Sequence, residues 1–157
     1  MIPKFRVWDK ENKEMIEWKE LDLVKEQGET EITVFESTGL FAPPIFFYDA
    51  MQSTGLKDSK GVEIYESDIV KLKYPYDKRS TTLGIIVKSK QKACFGIQMK
   101  ETTEDYELYR VTAEHYLAVV GNIYQNPELG IKPNRNFKLV RPKKVYYHAY
   151  IKQEENE

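Results

Sequence analysis

Cysteine is almost missing from this chain. Cys94 is the only one in 157 residues, so no disulfide can close within a single molecule. That usage fits a reducing, cytoplasmic setting. Histidine is nearly as scarce: His115 and His148 stand alone, in no metal-ligand spacing. A Ser-His-Asp or Cys-His site therefore has few parts to draw on. No apolar run approaches the length of a membrane span. The opening residues, Met1 to Arg6, lack the apolar core of a signal peptide. The formal net charge is only −1, with a pI near 6.2, so no global field draws the chain to nucleic acid or membrane. Internal repeats, low-complexity tracts and Gly-rich phosphate loops are also lacking. These gaps leave a cytoplasmic chain with no expected cofactor, no metal and no membrane partner.

What is abundant is aromatic. Aromatic residues make up 13% of the chain and eleven of them are Tyr. Tyrosine favours strands and is enriched at interfaces, so both are expected. The densest local signal runs from Met51 to Tyr74. Asp58-Ser59-Lys60-Gly61 is a tight-turn tetrapeptide: Asp accepts from the downstream backbone and Gly tolerates positive φ. Val62 to Tyr65 leaves the turn extended, Glu66-Ser67-Asp68 breaks the pattern, and Ile69 to Tyr74 alternates. Val70, Leu72 and Tyr74 then share a buried face, opposite a mostly wet face of Ile69, Lys71 and Lys73. A turn, a polar break and a half-buried strand resemble the first hairpin of a small β-barrel.

Along the rest of the chain the reading is mainly β with minor α. Phe5–Trp8 and Met15–Trp18 form a hairpin about a polar turn, with Trp8 and Trp18 stapling it to a core or offering a stacking surface. Residues 20–25 are ambiguous, and Ile32–Phe35 is a β-branched strand. Leu40 to Tyr48 is the most apolar window. Its Pro43-Pro44 pair rules out a central strand or helix interior, leaving a buried crossover or an exposed partner-binding segment. Leu83–Val87 is a central strand with Gly84 at a bend or close approach. Ala93–Met99 is a strand that carries Cys94 as inert core. Tyr106–Val111 and Leu117–Val120 are further strands, separated by one helical turn at Ala113–Tyr116. About five strands joined by short turns suit a small SH3-like or related barrel. Asn126-Pro127-Glu128 opens a short helical turn that Gly130 ends. The expected organisation is a β-rich lobe over residues 1–50, a barrel-like domain over 51–130, and a basic and aromatic tail over 131–157.

Three ordered blocks carry a family resemblance: Lys4 to Lys13, Gln52 to Lys71, and Val120 to Leu129. Together they resemble the YopX family of phage and prophage proteins. Ser67 stands where that family usually has Gly in its E-G-D turn. The resemblance implies a small intracellular phage-type protein, similar to proteins thought to self-associate, with no established activity and no catalytic residues to transfer.

Candidate contact residues fall in two places. Phe41, Ile45, Phe46 and Phe47 lie in the apolar window, and Tyr146, Tyr147 and Tyr150 in the tail. No acidic residue occurs between Leu129 and Lys152, where seven basic residues are interleaved with aromatics. Such a tail can dock on the acidic N-terminal half of a second subunit. It can equally meet phosphates and bases, together with the turn lysines. Under that alternative the contacts are Lys88, Lys90, Lys92, Arg141, Lys143 and Lys144. Asp58, Glu63, Glu66 and Asp68 gather acidic groups suited to acid–base work or a divalent cation. Turn chemistry accounts for Asp58 and Asp68, and a wet face accounts for Glu63 and Glu66. The expectation is a non-enzymatic homo-oligomer that contacts host or phage proteins, with a small-barrel nucleic-acid module as the alternative.

Overall fold

The computed structural model describes residues 3–35, 43–73, 82–89, 92–101 and 105–133, without the Phe46 side chain. β1 (Phe5–Asp9) and β2 (Glu14–Ile16) form the expected hairpin. Asp9 makes its turn. The carboxylate accepts from the backbone N–H of Glu11 at 2.9 Å and of Asn12 at 3.2 Å, and from the Asn12 amide at 2.9 Å. This is the local bonding that lets Asp direct a turn. β2 stops at Ile16, short of Trp18, which opens a 3-10 turn and is exposed at the surface, outside the core clusters of the described residues. β3 (Asp22–Val24) pairs with β4 (Thr33–Phe35). Val34 turns inward with Val7 and Tyr48 to make a small core, against which Leu23, Ile45 and Phe47 pack.

β5 (Asp49–Lys57) pairs with β1 and with β6 (Glu63–Tyr65), giving a sheet of order β2-β1-β5-β6. The boundary expected at 50/51 falls inside this strand. Asp58 builds the next turn as expected: its Oδ1 accepts from Lys60 N–H at 2.8 Å and Val62 N–H at 2.9 Å. The hairpin on that turn is β5–β6. β6 does not pair with the strand that follows it, which corrects the expectation of a β6–β7 hairpin. The chain instead turns through Ser67 at φ 69°. A serine therefore holds the left-handed conformation at the glycine position of the E-G-D turn. The Ser67 backbone is knitted in by N–H donation to Ile86 O at 2.8 Å and by acceptance from Ile123 N–H at 3.2 Å.

The second sheet comprises β7 (Asp68–Leu72), β8 (Thr82–Lys88), β9 (Phe95–Met99), β10 (Asp105–Glu107) and β11 (Leu117–Asn122). Its order is β10-β9-β8-β7-β11, and it curls into a half-barrel, so the chain is mainly β as expected. Val70, Leu72, Ile86, Ile97 and Met99 point into a core closed by Ile64, Leu117 and Ala113 of α1 (Arg110–Tyr116). On the opposite face Lys71 and Lys73 are exposed as expected, but Ile69 is not. Ile69 is fully buried there with Ile85 and Val87, under a cover from Ile131 and Leu129. Gly84 is the expected close approach, since a Cβ there would meet Ile97 Cγ2 at 2.7 Å. Cys94 lies in a bend before β9 and is half-buried, outside both the strand and the core expected for it. The strand expected over Tyr106–Val111 ends at Glu107. From Arg110 the chain is helical, because Ala113 fits the core and Arg110 pairs with Glu114 one turn on. No helix among the described residues is long and apolar enough to cross a membrane.

Candidate functional site

The two sheets meet at a buried charge. Asp68, at the start of β7, is 1% exposed, and Arg6 on β1 is 11% exposed. The Arg6 guanidinium bonds one carboxylate oxygen. The other oxygen accepts from Tyr65 N–H at 2.7 Å. The same guanidinium lies over the Tyr65 ring, 4.4 Å from its centroid, a cation–π arrangement. Burial pushes the Asp68 carboxyl up to about 6 from 3.8, with Arg6 and the Tyr65 N–H opposing that rise. Desolvation disfavours the charged form, and the pairing only partly offsets it. Beside this pair, Glu63 accepts from Ser53 Oγ at 2.8 Å and from the Tyr65 hydroxyl at 3.1 Å. Burial first, and then the Glu63 charge, lift the Tyr65 phenol to about 12. Burial also raises Glu66, which accepts weakly from Gln52 N–H at 3.5 Å.

A shallow cleft of about 630 Å³ opens next to the junction, lined by Trp8, Lys10, Lys13, Tyr124, Gln125 and Pro127. Trp8 and Tyr124 stack with centroids 6.1 Å apart and planes 17° from parallel. Tyr124 is anchored by its hydroxyl, which the Ser67 side chain reaches, and burial lifts that phenol to about 12. The β1–β2 turn, clamped by Asp9, carries both lysines. Lys10 pairs with Asp49 at 3.3 Å, and Lys13 forms no ion pair among the described residues. Gln125 is fixed because its Oε1 accepts from Asn122 Nδ2 at 2.7 Å. Asn122 Oδ1 in turn accepts from Tyr124 and Gln125 N–H at 3.1 and 2.8 Å, closing the turn after β11.

The acidic residues singled out in the sequence do not converge on one another. Asp58 is buried far along the hairpin, where its second oxygen accepts from Val119 N–H at 2.9 Å and ties the turn to β11. Glu63 and Asp68 serve the junction, and Glu66 lies partly buried against Gln52, so neither glutamate sits on the open wet face expected for it. No group of metal-ligating residues occurs among the described residues. Of the contact candidates, Ile45 and Phe47 pack on the small core. Phe41, Tyr146, Tyr147 and Tyr150, and the Phe46 side chain, lie outside the described residues. So do Lys90, Arg141, Lys143 and Lys144. Lys88 donates to Gln52 Oε1 at 3.2 Å and Lys92 bonds Glu107. The sequence assigns no site role to Arg6, Lys10, Lys13, Ser67 or Tyr124. All five lie inside the three resemblance blocks, which the fold brings to one junction.

Fold and junction together define a small curled-sheet β domain whose two sheets meet at a buried Arg–Asp pair. The chain belongs to the YopX family: the YopX protein family matches it over residues 4–129. Among solved structures it is similar to protein EF1440 from Enterococcus faecalis, with 27% identity and a TM-score of 0.57 over 82% of this chain and 98% of that one. It shares its fold with protein YopX from Bacillus subtilis, at 24% identity and a TM-score of 0.54 over 83% and 98% of the two chains. No curated protein matches it.

Proposed function

We propose that the protein is a non-enzymatic accessory protein of phage or prophage type, acting in the cytoplasm by self-association and by contacts with a host or phage protein. The observation that carries the association is the asymmetry of the five-stranded sheet. At one end, the Asp58 turn covers β11: Ser59 N–H donates to Leu117 O at 2.9 Å, and Asp58 takes Val119 N–H. At the other end β10 closes the sheet with no further strand among the described residues. Around it Tyr106, Tyr109 and Val111 are 48%, 59% and 64% exposed. Edge strands are templates for pairing, and exposed tyrosines beside one favour an interface. Tyr109 is already ordered, because its hydroxyl donates to the Glu107 carboxylate that also takes Lys92. The phage setting rests on the family resemblance. Hydrogen exchange at low and high protein concentration tests the association. Amides of β10 and the first turn of α1 gain protection as concentration rises. Equal exchange there at both concentrations refutes this surface.

A further inference from the structure

We propose that the Trp8–Tyr124 cleft binds a nucleobase carrying a phosphate, as a free nucleotide or as a unit of a single strand. The site is built before any ligand arrives. Its floor is a pair of rings 17° from parallel, a stack that a third planar ring can extend. The Asp9 clamp orders the turn that carries Lys10 and Lys13, which line the same cleft as the two rings. Lys10 shares its charge with Asp49, which leaves Lys13 as the lysine whose charge is not spent within the described fold. Gln125 has its carbonyl oxygen occupied by Asn122, so its amide N–H groups remain to meet a base edge. Pro127 forms an apolar wall. A cleft of about 630 Å³ lies within the ~300–1,000 Å³ span of small-ligand sites.

Stacking on an aromatic floor does not depend on which base is present, whereas a cation beside the floor selects for the phosphate. An acidic peptide would satisfy the lysines but would leave the parallel floor without a planar partner. The base–phosphate chemistry uses both. Ser67 enters as a positioning residue: it holds the Tyr124 hydroxyl and so keeps that ring under Trp8.

The test is a fluorescence titration of the full chain carrying Trp18→Phe, a surface change that leaves Trp8 as the only tryptophan. The probes are adenosine 5′-monophosphate, adenosine and an eight-residue oligo(dA), each at low and at physiological salt. The expected result is saturable quenching of Trp8 by the monophosphate or by the oligonucleotide, with adenosine weaker than the monophosphate. Quenching by the monophosphate identifies a free-nucleotide site, and quenching by the oligonucleotide alone identifies a strand-binding one. Lys13→Glu weakens binding about tenfold, the loss of one cation–phosphate contact. Gln125→Ala weakens it less and keeps the preference for phosphate. Absence of saturable quenching by all three probes overturns the proposal. So does equal binding of adenosine and its monophosphate, or an unaltered curve for Lys13→Glu.

Discussion

Replacing Arg6 by Met gives a destabilisation whose size depends on pH, and the dependence follows from the buried Asp68. Burial raises the folded Asp68 carboxyl to about 6, against 3.8 for an ordinary aspartate. Between those values the folded state holds a proton that the unfolded chain has lost, so this group's stabilisation is present below 3.8 and fades as pH rises through 6. The shift corresponds to roughly 3 kcal/mol at about 1.4 kcal/mol per pKa unit. Arg6 is one of the groups that keep the value from going higher. In Arg6→Met the carboxyl rises further, and the variant keeps Asp68 protonated at pH values where the wild type ionises it. The electrostatic cost therefore starts near pH 6 and grows by about 1.4 kcal/mol per pH unit until the variant's own carboxyl ionises. A pH-independent part comes from the lost cation–π contact with Tyr65, on the order of 1 kcal/mol. The summed cost is about 1 kcal/mol at pH 5 and about 2–3 kcal/mol at pH 7. Urea unfolding of both proteins, followed by tryptophan fluorescence from pH 5 to 8, measures it. A cost that stays constant over that range, or that is larger at pH 5, refutes the buried ion pair as the lock between the sheets.

Other substitutions probe the turns and the tail. Asp58→Ala removes the acceptor of three backbone N–H groups at once and is expected to lower stability by about 2–4 kcal/mol in chemical denaturation, with Asp58→Asn milder. Gly121→Ala drives a Cβ into the Asn126 side chain, which itself accepts from Asn122 N–H at 3.1 Å. Overpacking of this kind costs about 1–3 kcal/mol, readable as a lowered Tm. A chain ending after Gly130 is expected to form particles with fewer subunits than the full chain. Unchanged particle mass after that truncation shows that the tail does not dock on a neighbour.

The parts of the fold legible in the sequence are those in which local chemistry and packing agree. The Asp58 turn, the β1–β2 hairpin and the apolar β8 strand read correctly because each is set by its own residues. β5 is hard to read in the sequence for a physical reason. Its buried positions include Ser53, satisfied by Glu63, and its end carries Gly55 at φ 76°, so polar residues fill the face where an apolar alternation would show. The alternation puts Ile69 on a wet face, because its cover, Ile131, comes from more than sixty positions downstream. Val111 and Tyr109 favour strand locally, and the core's acceptance of Ala113 overrode that preference. The site was legible only as scattered blocks. Arg6 and Asp68 are 62 positions apart, and nothing near either residue announces its partner. Ser67 was readable as a turn residue, but its reach to Tyr124 depends on how β11 and the turn after it fold back.

The proposed assembly runs through the surface beside β10. The most direct test is its absolute mass in solution by light scattering after size-exclusion chromatography, with Tyr109→Asp/Val111→Asp beside the wild type. Both positions are exposed, so the double variant is expected to keep the fold. The account predicts a wild-type mass at a whole multiple of 18.5 kDa, falling to fewer subunits in the variant. A wild type that runs as a single 18.5 kDa chain at every concentration tested would contradict it. An assembly whose mass the variant leaves unchanged would contradict the choice of surface.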